Sequence, residues 1–598
     1  MMQLRGRALP LTVGAIALVA ALLRIPFLGY PATIDDGGFY QVAQSWLHGG
    51  PNLYGQYWVD RPPGLIGLFA IAAGTGHFVV IRLIALAAAV VVILAVARAV
   101  HLLGGSPIWA AVVAASLSLT PLFGAQLDPG ELLASAFTSV AFLAAVESRR
   151  TTGARALQLA GAAGLVAVVG ASMKQNFVDG MVAVGIVLVA DALRRTGPGR
   201  QPILPLLTAA GGAAVGLLSI VVVSAVAMTG PAALFDAVVT FRIDARSVLS
   251  QSPGARLAGR LAALNHRAVT SGLAGLLLAL IVAGARRIRQ PSPEGLAVAA
   301  AATVSIAAIV AGGGGWSHYL IGPTVWVAIG AGLAGGRILT RAAVVFVALS
   351  CAIALIGAFH EGAPRNLIDA RTVGLTIHDA AQPGDTAITL YGVADVQFYT
   401  GLPSPYEYLW SLPMWVRDHG LSELEAVVAG SSAPTWIVQT NEINFQGPVR
   451  APLGRLVASR YRRVSSGCGN RIWLLDGQDR PIPRRFSCRP HSSRAGTAAP
   501  RRARGARRVA KALSAGSGSR PAGSLRAAGP ADTSSRRTPR PARPSDGSPR
   551  RSAEIPHSPS PTRRPRSSPT RDRGAAPART ALGSRPTPTT PSSARAGC

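Results

Sequence analysis

Two adjacent carboxylates, Asp35 and Asp36, begin the stretch of sequence that is richest in residues capable of chemistry. They follow directly on an apolar run, so at a membrane surface they would meet both water and lipid headgroups. A carboxylate in that position suits a general base that takes the proton of an acceptor hydroxyl. The competing interpretation is a helix N-cap before the sequence FYQVAQSWL, although two acids capping one helix would be redundant.

Aromatic and basic residues fill the rest of this stretch, residues 30–64, which we call the first outer loop. Its rings belong to Tyr40, Trp46, Tyr54, Tyr57 and Trp58. Amphipathic rings are favoured at the membrane interface, so anchoring is the preferred interpretation of the aromatics alone. The loop ends in Asp60, Arg61 and two prolines before the next apolar run. Ordinary short connections lack this combination, which indicates a functional segment.

The elements that must position these residues are apolar helices. The chain has 598 residues, of which 49% are hydrophobic and 14% charged, and its mean hydropathy is +0.34; this balance predicts a membrane protein. Eleven runs are predicted to span the membrane: 9–29, 78–103, 109–123, 132–146, 157–173, 178–193, 204–228, 269–285, 296–311, 319–333 and 342–359. The first is expected to be a retained helix, because it exceeds a typical signal-peptide core and lacks a small-residue cleavage site.

Basic residues predict the orientation of these helices. Threading the runs alternately puts five clusters on one side, which the positive-inside rule makes cytoplasmic: Arg5/Arg7, Arg149/Arg150, Arg194/Arg195/Arg200, Arg286/Arg287/Arg289 and Arg337/Arg341. The N-terminus is then cytoplasmic, and residues 30–64, 230–267 and everything after 360 are extracytoplasmic. Most of the net charge of +32 lies after residue 480, where 26 Lys and Arg face 4 Asp and Glu. A nucleic-acid partner is therefore not required.

Composition divides the chain into a transmembrane domain (1–361), an extracytoplasmic α/β domain (362–479) and a disordered Arg/Pro/Ser-rich tail (480–598). TAITLYG and TWIVQT are typical of strands, and SELEAVVAG of a helix. The tail has almost no large apolar residues with which to offset its ordering entropy. A genuine basic tail that adheres to anionic polymers or lipids and a shifted reading frame in GC-rich DNA explain it equally well.

The four cysteines do not form a metal motif. Cys351, Cys468, Cys488 and Cys598 include no CxxC pair or Cys/His cluster. Cys468 and Cys488 share the predicted extracytoplasmic domain, where a disulfide can form. Two unpaired thiols are the interpretation preferred from spacing alone.

The order of motifs resembles the GT-C class of membrane glycosyltransferases, in the branch of protein O-mannosyltransferases and bacterial aminoarabinose transferases. The resemblance rests on Asp35-Asp36, then Tyr40, Ala43, Tyr54 and Tyr57, then Asp60-Arg61-Pro62-Pro63 entering a helix; the branch usually has Asp-Glu and Lys-Pro-Pro-Leu at the two ends. Arg82 after His77, GASMKQNF around Lys174, GGGGWSHYLIGP and FYTGLPSPYEY continue it in order. It covers residues 1 to 478 and implies a polytopic α-helical GT-C fold.

Roles for individual residues follow from the resemblance. It implies Asp35 as catalytic base and Asp36 as a second carboxylate that orients Asp35 or a divalent cation. Cations near the outer ends of helices are expected to hold a lipid phosphate: Arg61, Lys174, Arg82 and His318. Tyr40 and Tyr57 are assigned to the acceptor side. Snorkelling of Lys174 and a structural role for His318 are competing interpretations of similar weight.

The implied activity is inverting transfer of a glycosyl residue from a polyprenyl-phosphate sugar to an extracytoplasmic glycan, lipid or protein, at a bacterial plasma membrane. No cofactor is required that the sequence shows, and no glycine cluster has the form of a P-loop. The alternatives are a polyprenyl-lipid flippase or transporter and a non-catalytic envelope scaffold. A transporter would more often carry internal repeats and mid-membrane charges, and neither is evident.

Overall fold

The computed structural model describes residues 2–127, 129–194, 203–251, 254–285, 292–312, 314–440, 449–486 and 488. Asp128, the basic clusters at 195–200 and 286–289, and nearly all of the predicted tail lie outside these ranges. The helices are α1 (Met2–Arg24), α2 (Ile34–His48), α3 (Pro63–Thr75), α4 (Val79–Leu102), α5 (Pro107–Leu119), α6 (Pro129–Ser148), α7 (Gly153–Met173), α8 (Asp179–Arg194), α9 (Leu204–Ala227), α10 (Pro231–Phe235), α11 (Phe241–Gln251), α12 (Gly254–Thr270), α13 (Leu273–Ala285), α14 (Pro293–Ala311), α15 (Thr324–Leu333), α16 (Ile338–Glu361), α17 (Arg365–Ala380), α18 (Ala394–Thr400), α19 (Ser411–Arg417), α20 (Ser422–Ala429) and α21 (Ala451–Arg460).

Seven helices within the described ranges are long and apolar enough to cross a bilayer, or eight if the bent pair α12–α13 is one span. The expected count of eleven is therefore not supported. Each predicted run does form a helix, but α5, α8 and α15 have only 13, 16 and 10 residues. A span needs about 20 residues, so these three are too short to cross on their own. Apolar composition alone cannot separate a short buried helix from a span.

Small residues allow two of the helices to pack closely. A Cβ added at Gly164 of α7 would lie 1.9 Å from the carbonyl oxygen of Ala209, and one at Gly212 of α9 would lie 2.0 Å from that of Gly161. No side chain fits at either position, because the backbones of α7 and α9 are in contact there. Such small-residue interfaces are typical of helices packed within a membrane.

The C-terminal region contains a four-stranded sheet of order β1-β2-β4-β3. Its strands are β1 (Ala387–Thr389), β2 (Trp436–Thr440), β3 (Tyr461–Gly467) and β4 (Asn470–Leu475). β1 is parallel to β2, whereas β4 is antiparallel to β2 and β3. The segments TAITLYG and TWIVQT contain β1 and β2, and SELEAVVAG forms α20. This small α/β region packs its helix α18 against α2, the helix that carries the acidic pair.

A disulfide joins Cys468 and Cys488, whose Cα atoms are 5.4 Å apart. The preferred interpretation of two unpaired thiols is therefore wrong. The spacing of 20 residues gave no indication of pairing, because the contact arises only when the chain after β4 returns alongside β3, as the bridge between Ser466 and Arg485 shows.

Candidate active site

The acidic pair lies in the first turn of α2, and Thr33 rather than either acid is the N-cap. The Thr33 hydroxyl accepts a hydrogen bond from the Asp36 amide at 3.2 Å. Both carboxylates are thus free of the capping role that was the competing interpretation. The helix N-terminus favours negative charge at this place.

The two acids have different surroundings. Asp35 is half-buried, and its Oδ1 accepts a hydrogen bond from the indole N–H of Trp410 at 3.1 Å. Asp36 is buried, and its Oδ2 lies 2.6 Å from a guanidinium nitrogen of Arg82, which is buried as well. Burial raises the pKa of Asp36 to about 6; Arg82 opposes this increase and Asp35 adds to it. We call Asp36 and Arg82 the buried pair.

A second group, the Asp60 cluster, consists of Asp60, Arg61 and Arg242. Asp60 pairs with Arg61 at 2.7 Å and also with Arg242 of α11. Burial alone would raise the pKa of Asp60, but the two guanidinium groups hold it below its ordinary value. The guanidinium of Arg61 also lies 5.3 Å from the centre of the Phe39 ring. Two cations on one carboxylate leave this cluster with a net positive charge.

A third group, the Glu131 cluster, consists of Glu131, Lys174 and His318. Lys174 follows the last residue of α7 and pairs with Glu131 in the first turn of α6. The ammonium lies 4.6 Å from the centre of the Tyr319 ring, and His318 Nε2 lies 3.5 Å from Glu131 Oε1. Burial, Lys174 and Arg61 lower the pKa of His318 well below its usual range, so the imidazole is neutral near pH 7.

These groups surround one small cleft between α2, the first residues of α3 and α6, and the end of α7. Its polar lining comes from Asp35, Asp36, Arg61, Glu131 and Lys174. Four of these, Asp35, Asp36, Arg61 and Lys174, are site residues predicted from the sequence.

The other predicted site residues do not line the cleft. Arg82 lies behind Asp36, and His318 behind Glu131. Tyr40 is buried against Phe78 and Phe398 at 5.9 and 5.4 Å between ring centres. The hydroxyl of Tyr57 accepts a hydrogen bond from the Ser404 amide at 2.9 Å. Both tyrosines thus join the first outer loop to the C-terminal region, and their role on the acceptor side stays a prediction.

Sequence reasoning missed two residues of the site, Arg242 and Trp410. They lie 182 and 350 residues after Asp60 in the sequence, in segments without a recognisable motif. The only available signal was their placement in segments predicted to be extracytoplasmic.

One group of potential metal ligands in the described part of the chain comprises Asp369, Cys468 and Cys488. Its two sulfurs are joined in the disulfide and cannot act as thiolates. A divalent cation at Asp35 and Asp36 stays a prediction; Arg82 already balances the charge of Asp36 there.

No family model matches the sequence, and a search of curated proteins finds no match. Among solved structures, the chain is similar to ArnT from Cupriavidus metallidurans bound to undecaprenyl phosphate, with a TM-score of 0.52, 12% identity, and 78% of this chain and 97% of that one covered. For the same protein in its apo state, the TM-score is 0.51 at 12% identity, and the match covers 78% of this chain and 98% of that one. The archaeal oligosaccharyltransferase AglB from Archaeoglobus fulgidus was solved in complex with an inhibitory peptide and a dolichol-phosphate. Its TM-score with this chain is 0.41 at 13% identity, and the match covers 72% of this chain and 69% of that one.

The likeness to ArnT extends over nearly the whole of that chain. At 12% identity, this likeness establishes the fold of the chain but not its reaction. The expected fold class is confirmed: this multi-pass membrane protein has the GT-C fold of ArnT.

Proposed function

We propose that the protein transfers a glycosyl residue from a polyprenyl-phosphate sugar to an extracytoplasmic acceptor, with inversion at the anomeric carbon. The observation that carries the proposal is the cleft itself. It combines one half-buried carboxylate, Asp35, with the positively charged Asp60 cluster, at the ends of apolar helices. ArnT, which has the same fold, was solved with undecaprenyl phosphate bound.

Asp35 is the base in this proposal. Its Oδ1 is held by Trp410, and within the described residues Oδ2 has no hydrogen bond or ion pair. Asp36 is neutralised by Arg82 and is too buried to accept a proton from a substrate directly. Deprotonation by a positioned carboxylate contributes roughly 10²–10⁴-fold to a rate.

The cations of the cleft stabilise the leaving group. A sugar joined to phosphate departs without a strong acid, provided that positive charge meets the developing phosphate charge. Arg61 and Arg242 carry the excess positive charge and have guanidinium forks that match phosphate oxygens. Lys174, directly after α7, supplies a further cation at the cleft, where Glu131 pairs with it.

The reaction is a single displacement. The acceptor oxygen gives its proton to Asp35 and forms the new bond to the anomeric carbon, while the bond from that carbon to the phosphate oxygen breaks. The electron pair of that bond leaves with the lipid phosphate. The five basic clusters of the sequence support a plasma-membrane orientation with the cleft outside the cytoplasm. The acceptor in this proposal is a glycan, lipid or protein of the cell envelope.

The test is sugar transfer in membranes that contain either the wild type or Asp35→Asn, supplied with radiolabelled polyprenyl-phosphate sugars and native envelope acceptors. We expect transfer by the wild type and a loss of roughly 10²–10⁴-fold in the variant at equal expression. Asp379→Asn is the matched control, because Asp379 is exposed on α17. Equal transfer by wild type and Asp35→Asn would remove Asp35 from the mechanism. No transfer from any donor would favour the flippase and scaffold alternatives.

A further inference from the structure

One side chain of the C-terminal region forms a hydrogen bond with Asp35, the candidate base. Trp410 immediately precedes α19, and its indole N–H donates to Oδ1 of Asp35 at 3.1 Å. The indole also packs on Phe39, one turn further along α2, with 5.4 Å between ring centres. Asp35, the candidate general base on α2, therefore accepts its hydrogen bond from a residue of the C-terminal region.

The two glycines after the acidic pair make this contact possible. A Cβ added at Gly38 would lie 2.1 Å from Cζ2 of Trp410, and one at Gly37 would lie 3.1 Å from the Cα of Asp395. A side chain at residue 38 would displace the indole. The sequence Asp-Asp-Gly-Gly thus pairs the acids with the space that the C-terminal region needs to approach them.

The far end of α19 is also fixed. Arg417 pairs with Asp236 at 2.6 Å and with Asp244 at 3.4 Å, and its guanidinium lies 5.6 Å from the centre of the Phe241 ring. These partners belong to residues 230–267, which also supply Arg242 to the Asp60 cluster. Because α19 is held at both ends, the indole of Trp410 has a defined position.

We propose that Trp410 is a positioning residue for sugar transfer: its indole N–H fixes the carboxylate of Asp35 so that Oδ2 is presented to the acceptor hydroxyl. This inference rests on the proposed function. The terminal torsion of an aspartate is broad, so a carboxylate without such a donor samples many orientations. Fixing it removes a reorganisation that would otherwise precede proton transfer.

Asp36, Arg61, Tyr319 and Asp395 are titratable groups of the described residues that interact with Asp35. They belong to α2, to the turn before α3, to the segment before α15 and to α18. Replacing Trp410 by phenylalanine leaves these groups in place and removes the hydrogen bond to Asp35. A change in catalysis by that variant is therefore expected to come from the lost donor.

The first experiment compares Trp410→Phe with Trp415→Phe in purified full-length protein, using the donor that the wild type accepts. Trp415 lies on α19, which Trp410 precedes, and provides the matched control. For Trp410→Phe we expect kcat to fall by about 10–100-fold, because the base is no longer held in its productive orientation. The KM for the donor should change little. A kcat equal to that of the wild type, or an equal fall in Trp415→Phe, would overturn the proposal.

The second experiment does not depend on activity. A double-mutant cycle compares the unfolding temperatures, in detergent, of Trp410→Phe, Asp35→Ala and the double variant. Because the indole N–H donates to Asp35, we expect the double variant to lose less than the sum of the two single losses. The same cycle with Trp415→Phe should be additive, and additive losses for Trp410→Phe would overturn the role of Trp410. Coupling in a protein that transfers no sugar would support the contact and overturn the proposed function instead.

Discussion

The buried pair and the Asp60 cluster each contribute one side chain to the cleft, Asp36 and Arg61, but differ in their charge balance. Asp36 and Arg82 form a one-to-one pair whose side chains are only 1% and 2% exposed. In the Asp60 cluster two guanidinium groups share one carboxylate, and the side chain of Arg242 is 29% exposed. A closed neutral pair holds a helix in place, whereas an open cluster with excess positive charge can exchange part of its pairing for an anion. The difference separates a supporting role from a binding role.

The largest effect is expected when the buried pair is broken. Arg82→Met leaves Asp36 as an uncompensated buried charge, which costs about 3–5 kcal/mol of stability. The unfolding temperature in detergent should fall accordingly. The double variant Arg82→Met/Asp36→Asn should recover part of the loss, since no charge is then left unpaired. A single variant as stable as the wild type would show that the pair does not hold α2 against α4.

A smaller effect is expected from Arg61→Met in the Asp60 cluster. Arg242 remains to balance Asp60, so the unfolding temperature should stay close to that of the wild type. The kcat/KM for the donor should fall by about 10–100-fold, because one guanidinium no longer meets the leaving phosphate. Arg463→Met is the control, as Arg463 is exposed on β3. An unchanged kcat/KM would assign the cluster to structure alone.

The smallest effect concerns the pH dependence of stability. The folded-state pKa of His318 lies well below its usual value, so the unfolded chain binds the proton more readily. The contribution of His318 is therefore present above about pH 6.5 and is lost as the pH falls below it. Between pH 7.5 and 5.5, the unfolding temperature of His318→Gln should therefore fall less than the unfolding temperature of the wild type. Asp36, with its pKa raised to about 6, titrates in both proteins and cancels in the difference.

The sequence was informative where a feature is local. The apolar runs correspond to helices, and the acidic pair, Arg61 and Lys174 were identified as residues of one site because each adjoins the end of such a run. Spacing did not indicate which cation balances which acid: Arg82 pairs with Asp36, and Arg242 with Asp60. These choices depend on how segments far apart in sequence pack together.

The same limit explains the remaining differences. The number of spans depends on helix length, and α5, α8 and α15 are shorter than the roughly 20 residues that a span needs. The contact between Trp410 and Asp35 depends on the docking of α18 and α19 against α2, for which the glycines at 37 and 38 were the one local sign. A pair of glycines indicates a close contact only when the residues that pack against it are known.

The disulfide between Cys468 and Cys488 has a consequence for where the protein can mature. Such a bond forms and persists in an oxidising compartment, and thiol reductants of the cytosol act against it. We therefore expect this part of the polypeptide to be exported before the disulfide closes, which is a redox argument for sidedness that is independent of the arginine clusters. Thiol alkylation of intact cells before and after a membrane-impermeant reductant would reveal the same sidedness without any measurement of sugar transfer.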